Sequence, residues 1–185
     1  DTENIQDTAQ LDFMKGMVHN PFQAKGIIMV QSEKLTWSVS GKQKSYPLIY
    51  INKTQIKFKN KKITLDIQAK LKKQEITQNV IGYVKGSLYP DSFLVFSAHY
   101  DHLGMLGPDA IFYGANDNAS GTAMLLNFAK HYSQPENKPK YSILFIAFGA
   151  EEIGLLGSKH YVDNPYFPLE KIKFFINVDI MGTGN

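Results

Sequence analysis

The sequence predicts an α/β fold, a mixed sheet with flanking helices packed on it. Three observations in the second half predict this. The apolar runs 93–98 (FLVFSA), 141–148 (YSILFIAF) and 173–178 (KFFINV) have strand length and are bounded by turn residues. Helical patterns over 120–132 and 155–163 separate them, giving the order strand–helix–strand–helix–strand. Each run also ends abruptly in ionisable residues: His99-Tyr100-Asp101-His102, Glu151-Glu152 and Asp179.

Taken in chain order, residues 7–19 have helical character, with Leu11, Met14 and Val18 at helical spacing. Segments 26–31 (GIIMVQ) and 46–51 (YPLIYI) read as short strands. Ile63, Leu65, Ile67, Ala69 and Leu71 alternate with Lys62, Thr64, Asp66, Gln68, Lys70 and Lys72. That period of two predicts a long half-buried strand with its lysines on the wet face. The character changes near Gln78, where 79–86 (NVIGYVKG), a Pro90-Asp91 turn and the 93–98 strand follow closely. The helix over 120–132 takes Ser120 or Asn118 as its cap, with Ala123, Leu125, Leu126 and Ala129 as its apolar face. A proline-containing connector, 134–140, leads to the 141–148 strand, and Asn164-Pro165 ends the last helix.

At 185 residues with 43% apolar content, the chain suffices for one domain, or one domain plus a small appended module. Net charge is only +3 and all 20 Lys/Arg positions are lysine, eight of them between Lys53 and Lys73. Without arginine for bidentate contacts to phosphate or guanine, the composition argues against a nucleic-acid partner. There is no cysteine, so disulfides and thiolate metal sites are excluded, and any zinc must use His and carboxylate ligands. No run has the length of a membrane span, and the polar start carries no signal-peptide pattern.

The pair Glu151-Glu152 poses an electrostatic problem. Burying one carboxylate against an apolar run is costly, and burying two side by side is worse. With no guanidinium available, the counter-charge must be lysine, a hydrogen-bond network or a metal ion. In open α/β sheets, ligands bind outside the carboxyl ends of the strands. There the order of elements aims His99, Asp117, Glu151, Glu152 and Asp179 at one place. His99-x-Asp101 suits a metal-bound imidazole whose second nitrogen donates to the nearby carboxylate. Asp117 has two oxygens and can bridge two cations. Adjacent glutamates can divide labour, Glu152 as ligand and Glu151 as general base. Each feature alone has a plainer reading as a helix cap, a charge complementing a helix dipole, or a turn residue. His102, His131 and His160 read as capping, solvent-facing or locally hydrogen-bonded, and His19 has no supporting pattern. Their joint occurrence at strand ends raises the metal reading above these.

The motifs AHYDHLG (98–104), GANDNASGTA (114–123), FGAEEIGLLGS (148–158) and NVDIMG (177–182) resemble, in order, those of the M28 family of zinc exopeptidases. The resemblance runs from about Asn79 to Gly182. It implies a phosphorylase/hydrolase-like α/β fold and a co-catalytic dizinc aminopeptidase acting on peptides with a free N-terminus through a metal-bridging water. Carried over by motif, His99 and Asp179 bind one zinc and Asp117 bridges both. Glu152 binds the second zinc, Glu151 is the general base, and Asp101 orients His99. The peptide after the bridging aspartate, here Asp117–Asn118, is often cis in such enzymes. The family pattern has one more histidine on the second zinc, in a later loop. No motif for it follows Asp179, and His102 and His160 are not substitutes by motif. The resemblance therefore implies a catalytic domain, 75–185, truncated before its last zinc ligand, with the second site incomplete. Residues 1–74 form an N-terminal segment with a fainter resemblance to part of a protease-associated module. Rival readings are a single-zinc glutaminyl-cyclase-like enzyme, a non-catalytic metal-binding or interaction module, and an inactive fragment. Similar proteins imply a secreted or periplasmic location.

Overall fold

The computed structural model describes residues 7–32, 34–56 and 62–182. The chain divides into two compact units, Asp1–Lys73 and Gln74–Asn185.

In the first unit, helix α1 (Thr8–Gly16) starts at Asp7, whose carboxylate accepts the Ala9 N–H at 2.9 Å. A tighter turn continues to His19, and Asn20 stops it in the left-handed conformation. Strands β1 (Ile27–Gln31) and β2 (Leu48–Asn52) pair in parallel. The half-buried strand expected over 63–71 does not form. A strand needs a ladder partner for its backbone and a surface to cover its apolar face. Among the described residues no strand pairs with this segment, and Ile63, Leu65 and Ile67 are exposed. Alternation in sequence supplied a face with nothing to pack on it. Lys57, Lys59 and Lys61 of the lysine cluster lie outside the described residues.

The second unit is built on a four-stranded mixed sheet. Its strands are β3 (Val80–Val84), β4 (Tyr89–His99), β7 (Tyr141–Phe148) and β8 (Ile172–Asn177), in the order β3-β7-β4-β8. β4 runs parallel to β7 and β8, whereas β3 is antiparallel to β7. Helix α2 (Gly121–Tyr132) connects β4 to β7, and α3 (Leu156–Asp163) connects β7 to β8. Phe93, Val95, Leu144, Ile146 and Phe148 pack with Tyr161 of α3 on one face. Ala98, Ile143 and Phe145 pack with Leu125 of α2 on the other. Both faces of β7 are thus covered, which is why its sequence reads as a continuous apolar run. Three parallel strands deliver their carboxyl ends to one edge of the sheet.

One pair of alternatives is decided, and two local expectations are corrected. Asn118 caps α2, its Oδ1 accepting the Gly121 N–H at 3.0 Å, whereas the Ser120 side chain makes no cap hydrogen bond. The buried face of α2 is turned from the expected one. Leu125 packs with Phe128, Ala129 and Tyr132, while Ala123 and Leu126 face outward. Aromatic residues at i+3 and i+7 from Leu125 fill the space over Phe96 and Phe145, so packing rather than aliphatic count set the rotation. Pro90-Asp91 lies inside β4, at a register irregularity between Tyr89 and Phe93, and not in a turn. A break in the ladder is where a strand tolerates a residue with no N–H. A short hairpin of β5 (Gly104–Leu106) and β6 (Ala110–Phe112) was not anticipated. Its turn, Gly107-Pro108-Asp109, carries the composition that marks it.

The rotation of α2 has a direct test. Leu125 is 4% exposed and Leu126 is 65% exposed. Leu125→Ala is expected to cost about 2–5 kcal/mol in urea denaturation, and Leu126→Ala within about 0.5 kcal/mol. Equal costs would contradict the observed face.

Candidate metal centre

The centre is assembled from loops that leave β4, β7 and β8 and from the loop preceding α2. His99 is the last residue of β4, and its alternation with Val95 and Ser97 turns it into the unit, where it is buried. The Thr122 hydroxyl donates to the His99 carbonyl at 2.9 Å, tying the strand end to α2. His99 Nδ1 lies 3.1 Å from the Asp101 backbone carbonyl. A carbonyl can only accept, so Nδ1 carries the proton and Nε2 presents its lone pair. That Nε2 sits 3.1 Å from Asp117 Oδ1 and 3.6 Å from Asp179 Oδ1.

Asp117 lies on the loop before α2, and its peptide bond to Asn118 is cis. Asn118 is the anchor of that loop and is only 1% exposed. Its amide donates to the Val178 carbonyl at 3.0 Å, while Oδ1 accepts from Gly121 and, at 3.4 Å, from Ile180. Asn116 Oδ1 accepts from Gly182, and the Ser120 hydroxyl accepts from Met181. These bonds clasp 178–182, and with it Asp179, against the Asp117 loop. Before that, the Val178 N–H donates to the Ser97 carbonyl, continuing the β4–β8 pairing towards the site.

Asp101 was expected to orient His99 through its carboxylate. The orienting acceptor is instead its backbone carbonyl, with the carboxylate 3.8 Å from Nδ1. The Asp101 carboxylate has different partners. It accepts the backbone N–H of Glu151 at 3.0 Å and that of Glu152 at 3.2 Å. The loop after β4 thus fixes the turn after β7, and an ionised acceptor makes both bonds strong.

Among the described residues, two groups of three side chains are placed to hold a cation: His99, Asp117 and Asp179, and His102, Asp117 and Glu152. Within each, one donor atom per residue lies within 4.8 Å of the others. Asp117 belongs to both. His102, which the sequence gave no reason to select, approaches Glu152 with Nδ1 2.8 Å from Oε1. The only signal for it was position: it follows Asp101 in a loop whose direction depends on contacts far away in the chain. Glu151 stands outside both groups and lines a cavity of about 310 Å³ with His99, Asp179, Phe148, Tyr161 and Phe175. Burial pushes the Glu151 carboxyl above the usual carboxylate range; Glu152, Asp101 and Asp117 add to the shift and His99 opposes it. Burial likewise raises the Tyr161 phenol, whose hydroxyl has no hydrogen-bond partner among the described residues.

The model of peptidase family M28 matches residues 79–185. Aminopeptidase YwaD of Bacillus subtilis (strain 168) is 35% identical over 168 residues, covering 86% of this chain and 35% of that protein. A glutamate carboxypeptidase 2 homolog of Caenorhabditis elegans is 37% identical over 123 residues, 64% of this chain and 15% of that protein. A solved structure of BSAP, a zinc aminopeptidase from Bacillus subtilis, aligns at 39% identity and a TM-score of 0.44, over 57% of this chain and 24% of that one. The chain spans about a third or less of the length of these relatives.

The clasp at Asp101 has a measurable consequence. Asparagine keeps one acceptor oxygen and turns an NH₂ towards the other amide. Asp101→Asn is expected to weaken protection of the Glu151–Glu152 turn by about 1.5–3 kcal/mol, read as faster hydrogen exchange at those two amides. Unchanged exchange there would remove Asp101 from this role.

Proposed function

The chain belongs to peptidase family M28, and on that premise we propose that it is a zinc-dependent aminopeptidase that removes N-terminal residues from peptides. The observation that carries the reading is the meeting of two donor groups at Asp117, with Glu151 beside them but in neither. The B. subtilis relative bears the name aminopeptidase, which supports the exopeptidase class.

The donors are imidazole nitrogens and carboxylate oxygens with no thiolate, a set that suits zinc. Among the described residues, buried His102 Nδ1 and Glu152 Oε1 lie 2.8 Å apart, and with Asp117 they offer one imidazole and two carboxylate donors, a set that fits a cation. His99, Asp117 and Asp179 would hold one zinc, and Asp117 and Glu152 would take part in holding a second. Bound there, zinc supplies Lewis acidity towards a carbonyl oxygen and towards water.

The remaining work belongs to the chain. Glu151 accepts the proton of the attacking water as its oxygen bonds to the scissile carbonyl carbon. It then delivers that proton to the nitrogen that leaves when the C–N bond breaks. Its raised pKa brings its proton affinity closer to that of a base working near neutrality. Asp101 positions Glu151 through the backbone. The cavity beside Glu151, walled by Phe148, Leu155, Tyr161, Val162 and Phe175, accepts an apolar substrate side chain. Carboxylates at its mouth favour an ammonium group, consistent with a free peptide N-terminus.

Aminoacyl-p-nitroanilides, a peptide with a reporter at its C-terminus and a peptide with N-terminal glutamine separate the possible outcomes. Release of the nitroaniline supports the reading. Trimming only from the C-terminus, or cyclisation of glutamine without hydrolysis, overturns it. Glu151→Gln is expected to lower kcat by about 10²–10⁴-fold with zinc content unchanged. Loss of zinc in that variant, or unaltered turnover, would overturn the role of Glu151.

A further inference from the structure

We infer that Asn79 is a positioning residue for Glu151: its side-chain amide ties together the two ends of the turn that carries the proposed base. The inference rests on the reading of Glu151 above and adds a residue that neither donor group contains.

The turn between β7 and α3 needs such a tie. It leaves β7 at Gly149 and enters α3 at Leu156-Gly157. Within it, Ala150 has φ of 56° and Leu155 has φ of 61°. Two residues with a Cβ thus stand in the left-handed region, one on either side of Glu151 and Glu152. That conformation is unfavourable for both, more so for the bulky leucine, and it persists only where surrounding contacts impose it. The turn's own hydrogen bonds run from Gly154 and Leu155 to the Glu151 carbonyl and from Leu156 to that of Ala150. They close the turn locally but do not attach it to the sheet.

Side chains from the ends of β3 and β4 attach it. Asp101 holds the middle, at the Glu151 and Glu152 amides. Asn79 holds both ends. Its Oδ1 accepts the Gly149 N–H at 3.2 Å, and its Nδ2 donates to the Gly157 carbonyl at 2.8 Å. An amide serves both at once, since one partner donates and the other accepts. The neck it closes has no room for side chains. A Cβ on Gly157 would collide with the Gly149 carbonyl and Asn79 Oδ1, and one on Gly149 would lie 2.9 Å from the Gln78 carbonyl. Asn79 is itself fixed. It directly precedes β3, whose antiparallel register sets Val80 against Ala147. The Tyr100 hydroxyl donates to the Gln78 carbonyl at 2.6 Å, pinning the residue before it.

Glu151 follows Gly149 by two positions, so the place of its carboxylate in the cavity follows the neck. Opening the neck would release the turn at Ala150 and move Glu151 relative to the water it deprotonates. His99, Asp117 and Asp179 sit on other elements and would stay in place. Misplacement of a reacting group by about 1 Å costs on the order of 100-fold in rate. In the sequence, Asn79 marked only the change of character near Gln78, because its partners lie 70 and 78 positions further on.

The test compares Asn79→Asp and Asn79→Ala with wild type by amide hydrogen exchange and by aminoacyl-p-nitroanilide kinetics, with and without added zinc. Both variants are expected to lose about 10–100-fold in kcat with KM within about twofold. In both, the Gly154, Leu155 and Leu156 amides should exchange at least about tenfold faster. Asn79→Asp keeps the acceptor for Gly149 and loses only the donor to Gly157, so the Gly149 amide should speed up in Asn79→Ala alone. As the gentler change, Asn79→Asp carries the test where Asn79→Ala does not fold. Phe128→Ala, which empties space over Phe96 on the other face of the sheet, is the control for lost stability. It should leave kcat and the turn amides near wild type. Wild-type kcat in the Asn79 variants, a rise in KM alone, recovery of kcat by added zinc, or an equal loss in Phe128→Ala overturns the positioning role. If wild type itself shows no turnover, the aminopeptidase reading fails and exchange decides the clasp: unchanged turn amides in the Asn79 variants sink it, and faster ones sustain it.

Discussion

The arrangement depends first on a carboxylate that does not touch any candidate cation position. Asp101 accepts the backbone N–H groups of Glu151 and Glu152. Parallel strands bring β4 and β7 to the same edge, but the chains that leave them are free to diverge. Two charge-assisted bonds to one side chain remove that freedom. The Asp101 carbonyl, pointing the other way along the same turn, sets the tautomer of His99. One residue thus orients a donor on its own strand through its backbone and places two carboxylates on the next strand through its side chain.

Asn118 does the equivalent for the other half. It is the most tightly enclosed polar side chain of the centre, and its three hydrogen bonds reach α2 and the residues on both sides of Asp179. An amide suits this position because it must donate to a carbonyl and accept from N–H groups at once. A carboxylate could not donate to Val178, and it would add a further negative charge beside Asp117. Asp101 and Asn118 together hold these chain segments in register through side-chain to backbone bonds, and Asp117, Glu152 and Asp179 face the centre.

That concentration of like charge carries an electrostatic cost. Asp117, Asp179, Glu151 and Glu152 converge near His99 and His102, and the chain has no arginine. Burial is the first cause of the raised Glu151 pKa, and the neighbouring carboxylates add to it. The proposed cations would offset the rest, and they would make the site more stable loaded than empty.

Much of the second unit was legible because burial on both faces imposes a simple rule. Strand β7 and the 93–98 part of β4 are apolar runs, so they announced themselves and their carboxyl ends. The first unit shows where such reading fails: 63–71 alternates as a strand should, yet nothing described pairs with it. The rotation of α2 failed for a related reason. Leu125 and Leu126 are chemically identical, and only Phe96 and Phe145 across the interface decide which of them is covered.

The sequence by itself determined the α/β order, and it placed His99, Asp117, Glu151, Glu152 and Asp179 as candidates at the ends of the elements. These follow from local rules, because hydrophobic length and the polarity of the next residue are both written in consecutive positions. Only the tertiary structure decided that Asp101 clasps backbone rather than imidazole, that Asn118 rather than Ser120 caps α2, and that His102 meets Glu152. The Asp101 and His102 contacts join residues from separate elements, and at 2.7–3.2 Å a hydrogen bond depends on the relative placement of those elements to a fraction of an ångström. No spacing along the chain encodes that placement; packing of the helices on both faces of the sheet does.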